Sequence, residues 1–293
     1  MSTSDILLSK IVGESDQIND VRNSIARVAR TKLPVLICGE TGVGKDLAAN
    51  VLHQLSDRAN HPFVAINMIA IPDSLAIASL FGHERGAFTG ATRHSTGMLG
   101  SADGGTIYLD EFEETPLEIQ RLLVNFLDSG SYFPLGSTSR IQIDVRLIAG
   151  TRVPPHELNS VLPDLITHLS GFVLYIPPLR ERPDDVPILV THFMNQMSIL
   201  NGNSKSFSDE AIEALKKYAF PGNIRELINI IERAVILSDD TIISHSSLRL
   251  PKEAQEPERE DAERLRIELD RTKRELAHLN RITLRFAHFQ SGS

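Results

Sequence analysis

The stretch Val35-Leu-Ile-Cys38-Gly39-Glu40-Thr41-Gly42-Val43-Gly44-Lys45-Asp46-Leu47 decides how the rest of this chain is read. Four consecutive apolar residues suit a strand buried on both faces. They run into three glycines within six residues, and then into a lysine. Glycine lets consecutive backbone N–H groups converge, and the N-terminus of a following helix adds partial positive charge, so the segment suits a bound phosphate. Lys45 would reach the outer phosphates. The strict pattern places Ser or Thr after the lysine to ligate Mg²⁺, whereas Asp46 stands here, a carboxylate able to ligate the ion itself or through water. A glycine-rich turn that holds nothing is the competing reading. The strand before it and the helical spacing of Leu47, Val51, Leu52 and Leu55 after it favour the phosphate site.

Outward from this loop, further apolar runs recur: Phe63–Ile66, Thr106–Leu109, Val145–Ala149 and Phe172–Ile176. Helical patterns separate them, such as Ile119, Leu122, Leu123, Phe126 and Leu127. This alternation predicts an α/β fold with a parallel sheet between helices. The run at Thr106–Leu109 ends in Asp110-Glu111, a pair suited to Mg²⁺ ligation by the first residue and polarisation of an attacking water by the second. After Pro177-Pro178 only helical patterns remain. Pro187 suits the first turn of one helix and Ser208 caps another, while Asn223 with Glu226 resembles a capping box for a third.

Composition narrows the class. The 293 residues carry 30 basic and 38 acidic side chains, a net charge of −8, which argues against broad non-specific binding to nucleic acid. With 41% hydrophobic and 23% charged residues the chain is neither disordered nor collagen-like. A single cysteine, Cys38, excludes an intramolecular disulfide and a Cys-rich zinc site. Its place in an apolar strand points to packing, and the ten histidines show no metal-ligand spacing. No run approaches the ~18 apolar residues of a membrane span. The polar N-terminus lacks a secretory pattern, so a cytoplasmic location is expected.

Four motifs carry a family resemblance: Leu80-Phe-Gly-His-Glu84, Gly86-Ala87-Phe88-Thr89-Gly90-Ala91, Pro177-Pro-Leu-Arg-Glu-Arg182 and Pro221-Gly-Asn-Ile-Arg-Glu-Leu227. Together they resemble the AAA+ domain of sigma-54-dependent transcriptional activators, the bacterial enhancer-binding proteins, over about residues 10 to 250. The resemblance implies a P-loop NTPase core over residues 10–178, an all-helical lid over 179–250, and ATP with Mg²⁺ as ligands. It implies a ring of this chain or related activator subunits, with sigma-54 RNA polymerase holoenzyme as the partner. By the same resemblance Ile11 and Val12 lie near the adenine, Gly39 to Leu47 hold the phosphates, and Arg225 is the lid's sensor. Asp110 acts on Mg²⁺, Glu111 is the catalytic base, and Asn67 is the switch that holds it. Residues 86 to 91 press on the sigma factor. An acidic residue after the lysine is typical of the family, which accommodates Asp46.

Three departures accompany the match. The family's two arginine fingers fall at Leu162 and His168, in a segment from Val161 to Leu169 with no arginine, and Arg146 and Arg152 are the candidate substitutes. The first sensor ends in Arg152 where the family has asparagine. No helix-turn-helix is visible after residue 250, so direct DNA binding by this chain is not expected, and the residues before 10 leave no room for a receiver domain. The tail from 251 to 293 carries nine acidic and nine basic side chains and an apolar stripe including Leu265, Leu269 and Leu276, which reads as a charged C-terminal helix. The leading functional expectation is an ATPase that remodels sigma-54 RNA polymerase. The alternative is a subunit or decoy that binds nucleotide but hydrolyses little, docking on sigma-54 or completing a mixed ring. A truncated or degenerating product is the third and weakest expectation.

Overall fold

A computed structural model describes residues 3–201 and 205–250. The charged tail helix expected over 251–293 therefore lies outside the described residues. The chain divides into two compact units.

The α/β unit comprises residues 24–38 and 46–175 of the described chain. Five strands form one parallel sheet: β1 (Val35–Cys38), β2 (Phe63–Asn67), β3 (Thr106–Asp110), β4 (Arg146–Thr151) and β5 (Phe172–Tyr175). They lie in the order β2-β3-β4-β1-β5. All five apolar runs thus become strands of one sheet, as their lack of alternation predicted. β1 is an inner strand, paired with β4 on one side and β5 on the other, and its four side chains are buried. Each such aliphatic side chain contributes about 1.5–3 kcal/mol on burial. β2 is an edge strand, and it alternates between buried Ile66 and exposed Ala65 and Asn67.

The helix Leu117–Ser129 follows β3, and its Ile119, Leu123 and Phe126 enter the core beside Leu109, Leu147 and Leu165. It ends at Gly130, which at φ 66° takes the left-handed conformation that closes a helix. Cys38 is part of this core, consistent with a packing role. Arg146, at the start of β4, is also buried. Its guanidinium donates to the carbonyls of Val28, Ala29 and Leu33, satisfying a helix C-terminus and the turn after it. Burial, with Arg58 nearby, pulls its pKa down to about 10.

The second unit comprises residues 3–23, Gly39–Lys45 and 176–250 of the described chain. Its core joins Leu189, Val190 and Met194 of the helix Val186–Asn201 to Ala211 and Leu215 of Asp209–Lys217 and Leu227, Ile230 and Ile231 of Asn223–Leu237. Ser208 caps the second of these, its Oγ accepting from the Ala211 N–H at 3.3 Å. Pro187 sits in the first turn of the first. The third helix departs from the capping box expected at Asn223. The N-cap is Gly222, whose N–H donates to Glu226 Oε2 at 2.8 Å. The Asn223 side chain is drawn away because its amide is needed elsewhere. Among the described residues no helix is long and apolar enough to cross a membrane.

Candidate functional site

In the second unit the glycine-rich loop is held by the helical residues. Gly42 and Gly44 have φ of 81° and 99°, a region that other residues enter only under strain. The Gly42 carbonyl accepts from the N–H groups of Ile224 and Arg225, and a Cβ at Gly42 would lie 2.2 Å from the Gly222 oxygen. Glu40 forms a two-pronged ion pair with Arg180, at 2.7 and 2.5 Å. Asn223 is fully buried at φ 52°; its Nδ2 donates to Glu40 Oε2 and to the Thr41 carbonyl, both at 3.1 Å, and its Oδ1 accepts from Leu179 N–H at 2.8 Å. Burial would raise the Glu40 pKa, but the bonds from Arg180 and Asn223 outweigh it and the net shift is downward. Lys45 is buried, with Nζ 2.9 Å from the Gly39 carbonyl, so its ammonium folds back over the loop. Val43 is buried, and Thr41 and Arg225 are exposed.

The segment at Ile11 and Val12 is built in the same unit. Arg22 donates to the Ile11 carbonyl at 2.9 Å and to the Gly13 carbonyl at 2.7 Å. Asp185, fully buried, accepts from the Glu14 and Ser15 N–H groups at 2.7 and 2.8 Å. A Cβ at Gly13 would meet that carboxylate at 2.7 Å, so close approach requires glycine there. Ile11 is buried and Val12 packs on the helical core. Arg22, Asp185 and Arg180 were not singled out by sequence reasoning, and Asn223 was read there only as a helix cap. They are distant along the chain, and only the arginine-acid-proline run around 180–185 and the Gly-Asn pair at 222–223 gave any signal.

The α/β unit holds the acidic group. Asp110 ends β3, where its Cα registers with that of Asn67 at the end of neighbouring β2. Tyr108 donates its hydroxyl to Asp110 Oδ1 at 2.8 Å. Burial, and then the charge of Asp110, raise the tyrosine pKa, so it stays a donor. Asn67 Oδ1 accepts from the Ile69 N–H at 3.0 Å, capping the short turn that follows the strand. Glu111 takes the left-handed conformation, φ 51° and ψ 48°, which costs a residue with a Cβ about 1–2 kcal/mol. Asp46 and Leu47 are exposed on the first turn of the helix Lys45–Gln54. Among the described residues no group of three or more His, Cys, Asp or Glu is placed to hold a metal ion.

The candidate arginines are committed within their own chain. Arg146 is buried as described. Arg152 lies 2.9 Å from both Glu111 Oε2 and Glu113 Oε1, and 2.7 Å from Glu114 Oε1. His168, at a finger position, pairs with Asp128 at 3.1 Å, and Leu162 is half-buried against the core.

The loop from Gly86 to Ala91 is a tight hairpin: the Gly86 N–H donates to the Ala91 carbonyl at 2.8 Å and the Ala91 N–H to the Phe88 carbonyl at 3.0 Å. Phe88, Thr89 and Gly90 are exposed at its tip, while Ala87 is half-buried and Ala91 buried. Gly86 and Gly90 have φ of 85° and 105°, and a Cβ at either would meet nothing within 4 Å, so the turn, not crowding, calls for glycine. Phe88 meets the His83 ring edge-on at 5.0 Å, beside a cavity of about 350 Å³ that Leu75, Ala78 and Met98 also line.

Comparison with known proteins agrees with this architecture. Residues 11–169 match the sigma-54 interaction domain, and residues 180–265 match an AAA+ ATPase lid domain. The chain is 43% identical over 239 residues to the DNA-binding transcriptional regulator NtrC of Azospirillum brasilense, a match covering 80% of this chain and 49% of that protein. It is 43% identical over 244 residues to the nitrogen fixation protein AnfA of Azotobacter vinelandii, covering 82% and 46%. This chain thus spans about half the length of the curated relatives it matches. The crystal structure of NtrX from Brucella abortus in complex with ADP superposes with a TM-score of 0.76 at 31% identity, covering 97% of this chain and 69% of that one. The corresponding ATP complex gives the same TM-score. With the parallel sheet, the glycine-rich loop and the helical lid all in place, the chain belongs to the sigma-54 interaction domain family of AAA+ proteins.

Proposed function

We propose that this chain binds Mg-ATP and uses its hydrolysis, within a ring of activator subunits in the cytoplasm, to remodel sigma-54 RNA polymerase. The observation that carries the reading is the Gly39–Lys45 loop. Its positive-φ glycines and buried lysine have the donor chemistry of a phosphate cradle, and the matched family and the nucleotide-bound structural relatives support the same assignment. Backbone amides of residues 42 to 46 and the Lys45 ammonium hold the phosphates, Ile11 and Val12 flank the base, and Arg225 contributes from the lid. Asp110, with Asp46 as a second candidate, is the carboxylate for Mg²⁺, an ion that would neutralise charge on the outer phosphates. Glu111 takes a proton from the attacking water, and Asn67 governs its availability. The exposed tip of residues 86 to 91, with Phe88 and Thr89 foremost, engages the sigma factor.

A second reading has its own support. Because Arg146, Arg152 and His168 are committed within the chain, nothing at the finger positions offers a guanidinium to a neighbour. An arginine finger contributes 10³–10⁵ in rate. On this reading the subunit holds ATP and depends on another activator chain for turnover.

Phosphate release from Mg-ATP across a protein concentration series, with ATP binding measured in the same samples, tests both readings. Turnover rising faster than linearly establishes a self-sufficient ring. Binding without turnover favours the dependent subunit, and absence of ATP binding refutes the proposal. Replacing Thr89 is expected to abolish sigma-54 engagement with ATP binding intact.

A further inference from the structure

The short segment after β3 carries three glutamates, and all three meet one cation. Arg152 follows Thr151, the last residue of β4, and reaches Glu111, Glu113 and Glu114 at once. The contacts are not equivalent. Glu113 is the anchor: its Oε1 accepts both the side-chain Nε of Arg152 and that residue's backbone N–H at 3.0 Å. Burial would raise the Glu113 pKa, but the backbone N–H groups and Arg152 override it and shift it down. Glu114 bonds a different nitrogen, Nη2. The guanidinium therefore keeps two carboxylates when Glu111 leaves it. Glu111 is the member that can be released, and its strained backbone gives it a reason to move.

We propose that Arg152 is a positioning residue that restrains Glu111, holding its carboxylate away from the attacking water until the ion pair opens. The inference rests on the proposed ATP hydrolysis and adds its control. In the step concerned, the water oxygen bonds the γ-phosphorus and the bond from that phosphorus to the β–γ bridging oxygen breaks. The water proton passes to a Glu111 oxygen, and ADP and phosphate leave. A carboxylate oxygen 2.9 Å from a charged guanidinium nitrogen is engaged with that cation instead of the water. The restraint lies within one subunit, and Arg152 keeps Glu113 and Glu114 when it opens, so the guanidinium is not left unpaired.

The test is Arg152→Asn in the full chain. Turnover is expected to rise at least fivefold, while the affinities for ATP and ADP stay within twofold of the parent. Turnover unchanged or lowered, with ATP binding retained, overturns the restraint. So does a tenfold loss of ATP affinity with ADP affinity unchanged, which would make Arg152 a ligand of the γ-phosphate. Failure of both parent and variant to bind ATP overturns the functional reading, and this inference with it. Glu114→Gln, at an exposed position, supplies a second variant of opposite sign: the guanidinium loses a competing carboxylate and stays longer on Glu111, so turnover falls at least twofold. A nucleotide-free readout is a double-mutant cycle of Arg152→Asn with Glu111→Gln on the unfolding equilibrium. A departure from multiplicative behaviour of at least threefold is expected, and multiplicative effects overturn the pairing.

Discussion

Asn223→Ala is the substitution that most directly tests how the phosphate loop is held. The residue is fully buried, and its amide makes three hydrogen bonds: from the Leu179 N–H, to the Thr41 carbonyl and to the Glu40 carboxylate. Removing the Oδ1 leaves a backbone N–H at a fully buried residue without its acceptor, at a cost of about 1–3 kcal/mol. The lost bond to Thr41 adds about 1 kcal/mol and the charge-assisted bond to Glu40 about 1.5 kcal/mol or more. Alanine at φ 52° adds about 1 kcal/mol of backbone strain that asparagine tolerates better. With allowance for relaxation the expected loss is about 3–6 kcal/mol, a large share of a typical domain's stability. Asn223→Gly breaks the same bonds without the strain and should recover about 1 kcal/mol. Urea unfolding followed by far-ultraviolet circular dichroism suits a protein with no tryptophan. The reasoning is refuted if the alanine variant lies within about 1 kcal/mol of the parent, or if glycine is the more damaging substitution.

Other consequences follow from single groups. Restoring arginine at both finger positions, Leu162→Arg with His168→Arg, should raise turnover at least tenfold; no rise with ATP binding unchanged would show that these positions do not limit catalysis. Arg180→Met should raise the Glu40 pKa towards 4.5 and, because the pair is well exposed, cost only about 0.5–1 kcal/mol, read from the pH dependence of unfolding. Since the folded Glu40 pKa is depressed, its contribution is present above about pH 4.5 and is lost as pH falls through the folded value. His53 has the opposite chemistry. Burial lowers its pKa below 6.5 and it bonds Thr106 at 3.0 Å, so the unfolded chain binds the proton first. Stability should therefore fall as pH drops below 6.5, and His53→Gln should flatten that window in unfolding titrations.

The α/β core was legible because strands such as β1 and β4, buried on both faces, leave a continuous apolar signature, while edge strand β2 keeps an apolar run although Ala65 is exposed. All five runs from Val35, Phe63, Thr106, Val145 and Phe172 became strands of one parallel sheet. The hairpin at 86–91 and the phosphate loop were legible because glycine is the residue that enters their backbone geometry without strain. Local chemistry of that kind is written in neighbouring residues. The cap at Asn223 was misread for an instructive reason. A capping box is a local pattern, but Asn223 answers to Leu179, Glu40 and Thr41, as many as 183 positions away.

What the sequence by itself determined, then, is the family and the order of strands and helices along the chain, and the groups proposed for phosphate, magnesium and water were chosen from it. The missing arginines at Leu162 and His168 were visible there too. Tertiary structure alone decided what each charge does. Arg146 and Arg152 are equally plausible as free guanidiniums in a one-dimensional reading, yet one satisfies buried carbonyls and the other gathers three glutamates. The physical reason is that backbone preference and apolar periodicity act over a few residues. A charge is paired with whatever the fold brings within about 3 Å of it, and that is set by the packing of distant segments.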